Sequence, residues 1–201
     1  MYYSGIEPCD VLNGEGFRTV IWVSGCSIGC KGCFNPSTHN PYFGQEYTQE
    51  TENYILECLS KDYIDGITIT GGNPLEDYNL DTVLNLVNKI RLLMPEKTIW
   101  LYTGYTLHIC KYFDEDIFTF NPNYYHSNPL NGEPLEVDDK SFLIKQDRKR
   151  VEIIKSVDVL VDGRYIDSQR NISKKWAGSD NQRVISIPES LKQNKIVLYC
   201  D

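Results

Sequence analysis

The sequence predicts an α/β protein with a parallel sheet, on three observations. Short β-branched apolar runs alternate with segments of helical period. Each of the first three such runs ends in a glycine-bearing loop, at Gly25, at Gly71 and Gly72, and at Gly104. The helical segments are bounded by capping or stop residues. Strand, loop, helix, strand, loop, helix, strand is the order that gives parallel pairing with right-handed crossovers.

Residues 18–24, RTVIWVS, read as a buried strand. The next segment contains Gly25, Gly29, Gly32 and Pro36, too many breakers for a helix. Cys26, Cys30 and Cys33 therefore sit on a loop at the carboxyl end of a strand. Residues 48–59 predict a helix, with Thr48 as cap and Thr51 and Glu52 in the first turn. Tyr54, Ile55, Cys58 and Leu59 recur there at helical spacing, which puts Cys58 in the core. Residues 66–70, GITIT, form the second strand, followed by GGNP at Gly71, Gly72, Asn73 and Pro74. Residues 80–94 give a second helix with an apolar stripe through Leu80, Val83, Leu84, Val87, Ile90 and Leu93, stopped by Pro95. Residues 98–104, TIWLYTG, are the third strand.

The middle of the chain is less regular. Residues 120–134, rich in Asn, Pro and Gly, read as a long loop or lid. Residues 141–146 fit a short strand or a helix start. Residues 156–165, SVDVLVDGRY, predict a strand ending in a turn at Asp162 and Gly163. Residues 183–187 and 195–200 are candidate edge or hairpin strands. In parallel α/β sheets ligands gather beyond the carboxyl strand ends, so the cysteines and GGNP are expected as neighbours on one face.

With 201 residues the chain suits one domain, 1–201. A net charge of -8 argues against a nucleic-acid surface. The basic run KQDRKR, residues 145–150, reads as a solvated helix end. The N-terminus lacks a basic n-region and an apolar core, and no run approaches a membrane span. A cytoplasmic location without membrane contact is the expectation.

Seven cysteines are present, and Cys9, Cys58, Cys110 and Cys200 are scattered. That is not a disulfide framework, and a reducing compartment keeps such thiols free. Three thiolates spaced C-x3-C-x2-C instead let one loop wrap a soft metal centre. Structural zinc would need a fourth ligand, for which Cys9 and His39 are candidates. A [4Fe–4S] cluster held by three cysteines leaves one iron open to a substrate or cofactor. Unrelated core thiols are the third possibility.

The cysteine spacing followed by GGNP resembles the radical S-adenosylmethionine superfamily. More closely, the chain resembles the activating proteins of anaerobic ribonucleoside-triphosphate reductase. The matching stretches are NGEGFRTVIWVSGCSIGCKGCFN (13–35), ITGGNPL (69–75), YTGY (102–105), DVLVDGRY (158–165) and SDNQRVI (179–185), in family order. Residues 114–154 match poorly and read as an enlarged connection.

The resemblance implies a reduced, open partial (β/α) barrel with a mostly parallel sheet. It implies that Cys26, Cys30 and Cys33 hold the [4Fe–4S] cluster and that the open iron chelates S-adenosylmethionine. Reductive cleavage then yields a 5′-deoxyadenosyl radical that takes hydrogen from a backbone glycine of the reductase large subunit. Gly71, Gly72, Asn73 and Pro74 would approach the methionine amino group, Asn73 standing where many members carry Glu. Gly32 lacks the aromatic found before the third cysteine in many members, and Phe34 is the candidate substitute. Tyr102 and Thr103 would lie near ribose or methionine. Asn181, Gln182 and Arg183 would close the site or meet the partner. Before the first strand, Glu15 reads as a turn residue and Arg18 as the partner of a carboxylate. A flavodoxin or ferredoxin-type donor would supply the electron. The alternatives are an activase of another glycyl-radical enzyme and a zinc-binding interaction module.

Overall fold

The computed structural model describes residues 1–112, 115–120 and 140–200, with backbone only for 108–120 and 140–147. In chain order the elements are β1 (Tyr2–Asp10), β2 (Arg18–Val23), β3 (Gln45–Glu46), α1 (Gln49–Leu59), β4 (Gly66–Gly71), α2 (Leu80–Leu93), β5 (Thr98–Tyr102), β6 (Leu107–Tyr112), β7 (Glu115–Phe120), α3 (Lys140–Lys155), β8 (Val159–Asp162), β9 (Arg183–Ser186) and α4 (Ile187–Gln193). Among the described residues the main sheet has seven strands in the order β3-β1-β2-β4-β5-β8-β9, and β6 pairs with β7 apart from it.

The strands β2, β4, β5 and β8 run parallel, in step from Arg18↔Gly66 onward. The pairings of β1 with β2, β1 with β3, and β8 with β9 are antiparallel. The fold is therefore α/β with an open sheet, but only its centre is parallel, not most of it. For the β1–β2 pair the physical reason is connection length. β1 returns to β2 through a short turn, too short for the helical crossover that parallel neighbours require.

Side chains alternate across the sheet. On one face Ile21, Val23, Ile67, Ile69, Ile99 and Leu101 pack with Ile55 and Leu59 of α1 and Val83, Val87 and Ile90 of α2. Burial of each such side chain contributes about 1.5–3 kcal/mol. On the other face Trp100, Val159, Val161 and Val184 form a second cluster with Tyr102, Trp176 and Cys200. Thr48 caps α1 in a reciprocal capping box with Thr51, as the sequence predicts for the cap.

Several local expectations change. Tyr54 and Leu93 are exposed, and Leu86 joins the buried stripe of α2. The run at 145–150 lies inside α3 rather than at a helix end. Its Arg150 is buried, donates to Leu75 O and Asp77, and stacks over Tyr105. Residues 141–146 lie at the start of α3, the second of the two readings given for them. The tail at 195–200 adds one isolated bridge, Ile185↔Leu198, rather than a strand. The strands β1 and β3, the β6–β7 hairpin and α4 have no counterpart in the sequence reading. The loop or lid read at 120–134 lies outside the described residues beyond Phe120, as does the side chain of Cys110. Cys58 is buried in α1. Among the described residues no helix is long and apolar enough to cross a membrane.

Candidate functional site

The cysteine loop leaves β2 and is folded back at once. Gly25 N donates to Thr38 O at 2.7 Å and Cys26 N to His39 O at 3.3 Å, so a 3-10 turn at Pro36–His39 closes the loop. The GGNP loop leaves the neighbouring strand and docks on the same spot. Gly72 N donates to Val23 O at 2.7 Å and Asn73 N to Gly25 O at 2.8 Å. A Cβ on Gly72 would stand 2.5 Å from Gly25 O, so only glycine permits this approach. The buried Asn79 ties both loops, donating to Ser24 O at 3.0 Å and Asn73 O at 3.1 Å. Glu76, 7% exposed, accepts from Ser27 N at 2.9 Å, Ser27 Oγ at 2.7 Å and Asn73 Nδ2 at 3.3 Å.

These loops border a cavity of about 1020 Å³ on the face of the sheet away from the helices. Cys26, Cys30 and Cys33 line it together with Gly71, Gly72, Tyr102, Thr103 and Phe34. Phe34 is fully exposed at its rim. Asn73 and Pro74 are buried behind the wall. The Asn73 amide is taken up internally: its Oδ1 accepts from Leu75 N at 3.2 Å and Thr103 Oγ1 at 2.9 Å. Eight of the ten residues predicted for the site thus meet at one cavity.

Burial pushes the Cys26 thiol up to about 11, against backbone N–H groups of Ile28 and Gly29. The Cys30 thiol is also pushed up by burial, opposed by the Tyr165 backbone N–H and the Arg164 guanidinium. Such thiols become thiolates when a bound cation compensates the buried charge. Among the described residues no three His, Cys, Asp or Glu groups converge tightly enough to hold a single metal ion. Three soft sulfur donors spread along one loop, beside a large cavity, fit an iron–sulfur cluster. Of the two candidates for a fourth ligand, His39 borders the cavity. Cys9 does not: β1 runs antiparallel to β2 with Asp10↔Arg18 and Tyr3↔Val23. That register leaves Cys9 at the opposite end of the sheet, about 17 Å away by strand rise.

The late motif anchors the far wall. Asp162 is fully buried and pairs with Arg183, whose Nη2 also donates to Leu107 O at 2.8 Å. Gln182 lines the cavity and accepts from Gly178 N at 2.8 Å and Ser179 N at 3.1 Å. Arg18 differs from expectation. Among the described residues it contacts no carboxylate. It donates to Thr68 Oγ1 and to the carbonyls of Glu15, Ile67 and Thr98, and stacks on Trp100. Burial lowers its pKa to about 10. Glu15 instead bonds the Tyr199 hydroxyl. Sequence reasoning missed Glu76, Asn79, Tyr165 and Asp167. A carboxylate three residues after Asn73, at a strand-to-helix turn, is the signal that could have found Glu76.

Comparison with known proteins supports an iron–sulfur cluster. The family model for a 4Fe-4S single cluster domain matches residues 12–120 and 137–185. A protein of Enterobacteria phage T4 is 38% identical over 188 residues, covering 92% of this chain and 94% of its own. One from Vibrio cholerae is 35% identical over 184 residues, 90% and 96% of the two chains. One from Escherichia coli K12 is 34% identical over 186 residues, 92% and 97%. Each of the three carries the name anaerobic ribonucleoside-triphosphate reductase-activating protein.

Proposed function

The chain belongs to the family of anaerobic ribonucleoside-triphosphate reductase-activating proteins, and on that premise we propose that it installs the glycyl radical of an anaerobic ribonucleotide reductase. Cys26, Cys30 and Cys33 would hold a [4Fe–4S] cluster with one iron open, which would supply reductive cleavage of S-adenosylmethionine and, through it, hydrogen abstraction from a backbone glycine of the reductase large subunit. The observation that supports this reading best is the meeting of three thiols and the Gly71–Gly72 backbone at one cavity.

The chain's own residues bind, orient and enclose. Gly71 and Gly72 bring bare backbone to the cavity, where a ligand with amino and carboxylate groups can hydrogen-bond to it. Phe34, Tyr102 and Thr103 border the same space and are the side chains proposed to contact the nucleoside. Asn73 and Pro74 serve that contact from behind, by fixing the shape of the loop. Trp22 and Ile28 add apolar wall that excludes water from a reactive radical. In this reading the open sheet is the cradle of a partial barrel, and its unclosed side admits the reductase segment. A flavodoxin or ferredoxin-type donor gives the electron, in the cytoplasm, with neither nucleic acid nor membrane taking part.

The test is anaerobic incubation of the reconstituted protein with the reductase large subunit, S-adenosylmethionine and dithionite. The expected result is a glycyl-radical EPR doublet on the reductase and stoichiometric 5′-deoxyadenosine. Deoxyadenosine without a doublet would assign another substrate. A colourless protein that retains one zinc after anaerobic reconstitution would overturn the cluster reading altogether.

A further inference from the structure

Two segments that meet at the mouth of the cavity carry charge opposite to that of the chain. Residues 26–35 and 163–180 hold five basic residues and two acidic ones, in a chain of 20 basic and 28 acidic residues. The segments lie against each other: a Cβ on Gly32 would stand 2.9 Å from Asp167 Oδ1 and 3.4 Å from the Tyr165 ring. Arg170 follows Asp167 by one 3-10 turn, in which Arg170 N donates to Asp167 O at 3.2 Å.

Three of the five cations face solvent. Lys31 is exposed on the cysteine loop between Cys30 and Cys33, and Arg170 is exposed on the cavity rim. Lys175 is exposed with its Nζ 5.7 Å from the centre of the Trp176 ring. Among the described residues none of the three is in an ion pair. Half-buried Lys174 fixes the loop, its Nζ donating to the carbonyls of Asp180 at 2.7 Å and Gln182 at 2.6 Å. The two acidic members are held by neutral donors: Asp167 accepts from the Tyr165 hydroxyl at 2.9 Å and Asp180 from Asn171 Nδ2 at 2.7 Å. A positive surplus therefore remains. It surrounds two exposed apolar side chains on the same rim, Phe34 and Ile172.

Positive potential on an otherwise acidic protein concentrates and orients acidic partners. Transient redox encounters use small faces, whereas obligate complexes bury wider and more apolar ones. A protein seated here would lie against the loop that carries the three thiols, while the reductase segment has to pass into the cavity itself. We propose that the rim of Lys31, Arg170 and Lys175 around Phe34 and Ile172 is the docking surface of an acidic one-electron carrier protein. This rests on the cluster reading above. One electron passes from carrier to cluster, which oxidises the carrier and reduces the cluster, with no bond made or broken and no proton moved.

The test compares reconstituted wild type with Lys175→Glu and with the triple variant Lys31→Glu, Arg170→Glu, Lys175→Glu. The probe is an acidic flavodoxin. Stopped-flow absorbance reads the rate at which its hydroquinone reduces the cluster, and calorimetry reads the affinity of its oxidised form. At low ionic strength the bimolecular rate constant should fall about tenfold or more in the triple variant and about twofold in Lys175→Glu, and high salt should remove the difference. Dithionite at high salt should reduce every variant as it does wild type. Unchanged flavodoxin rates in loaded variants overturn the proposal. So does a triple variant that loses affinity for the reductase large subunit while flavodoxin still reduces it at the wild-type rate, which would assign the rim to the reductase. Should the triple variant fail to load, Lys175→Glu, outside the cysteine loop, decides by the same criterion. Wild type without a cluster would sink the underlying reading separately. Flavodoxin affinity then decides the rim: weaker binding by the triple variant supports docking, and equal binding overturns it.

Discussion

Two glycines three residues apart in the cysteine loop separate backbone freedom from steric room. Gly29 has φ +58 and open space where a Cβ would stand, whereas Gly32 has φ +73 and faces Asp167 and Tyr165. Gly29→Ala should therefore cost about 1 kcal/mol from left-handed backbone alone, and Gly32→Ala about 2–3 kcal/mol once crowding is added. Denaturant midpoints of the two variants measure the difference. Equal losses would show that Asp167 and Tyr165 yield freely. The cysteines give the functional counterpart: alanine at Cys26, Cys30 or Cys33 is expected to abolish 5′-deoxyadenosine formation, while Cys58→Ala leaves it near normal. Normal turnover in Cys30→Ala would refute the ligand assignment. At this scale the three thiols were legible because spacing on one loop is a sequence property. The inward turn of Asn73 was not, since Thr103, thirty positions on, takes its oxygen through a contact between two strand ends.

Between elements, the site depends on a seam where the loops after β2 and β4 meet. Glu76 is its polar anchor, with three donors on one buried oxygen. Glu76→Ala should destabilise by roughly 3 kcal/mol, because buried donors lose a charged acceptor, and Glu76→Gln by about 1 kcal/mol, because an acceptor remains. Thermal unfolding with iron content measured in parallel checks this. A neutral Glu76→Ala would mean that water replaces the carboxylate. The central strands and both first helices were readable from apolar period and punctuation. The strand β1 was not, because its residues are half-buried or exposed and carry no clean alternation. Neither was α4, which is only seven residues long. The depth of Arg150 was hidden too, since a basic run looks solvated until the loop before α2 supplies carbonyl and carboxylate partners.

For the molecule as a whole, the sheet divides labour between its faces. One face carries the large apolar core against α1 and α2, and the other carries the cavity and the cysteine loop. Removing iron by chelation should therefore leave helix and strand content by circular dichroism almost unchanged. The Tm should fall by only a few degrees, consistent with about 1 kcal/mol for a domain of this size. Global unfolding on chelation would show that the cluster is the fold's main staple. By itself the sequence determined the α/β class, the parallel centre of the sheet, the three clustered thiols and the glycine loop beside them. These follow from local period, turn chemistry and ligand spacing, which short segments carry whole. The tertiary structure alone decided that Cys9 is excluded, that Arg18 binds carbonyls, that Asn73 faces inward and that Tyr165 and Asp167, distant in the chain, face Gly32. Each depends on strand register or on contacts between segments far apart in the chain, and those distances exist only once the sheet has formed.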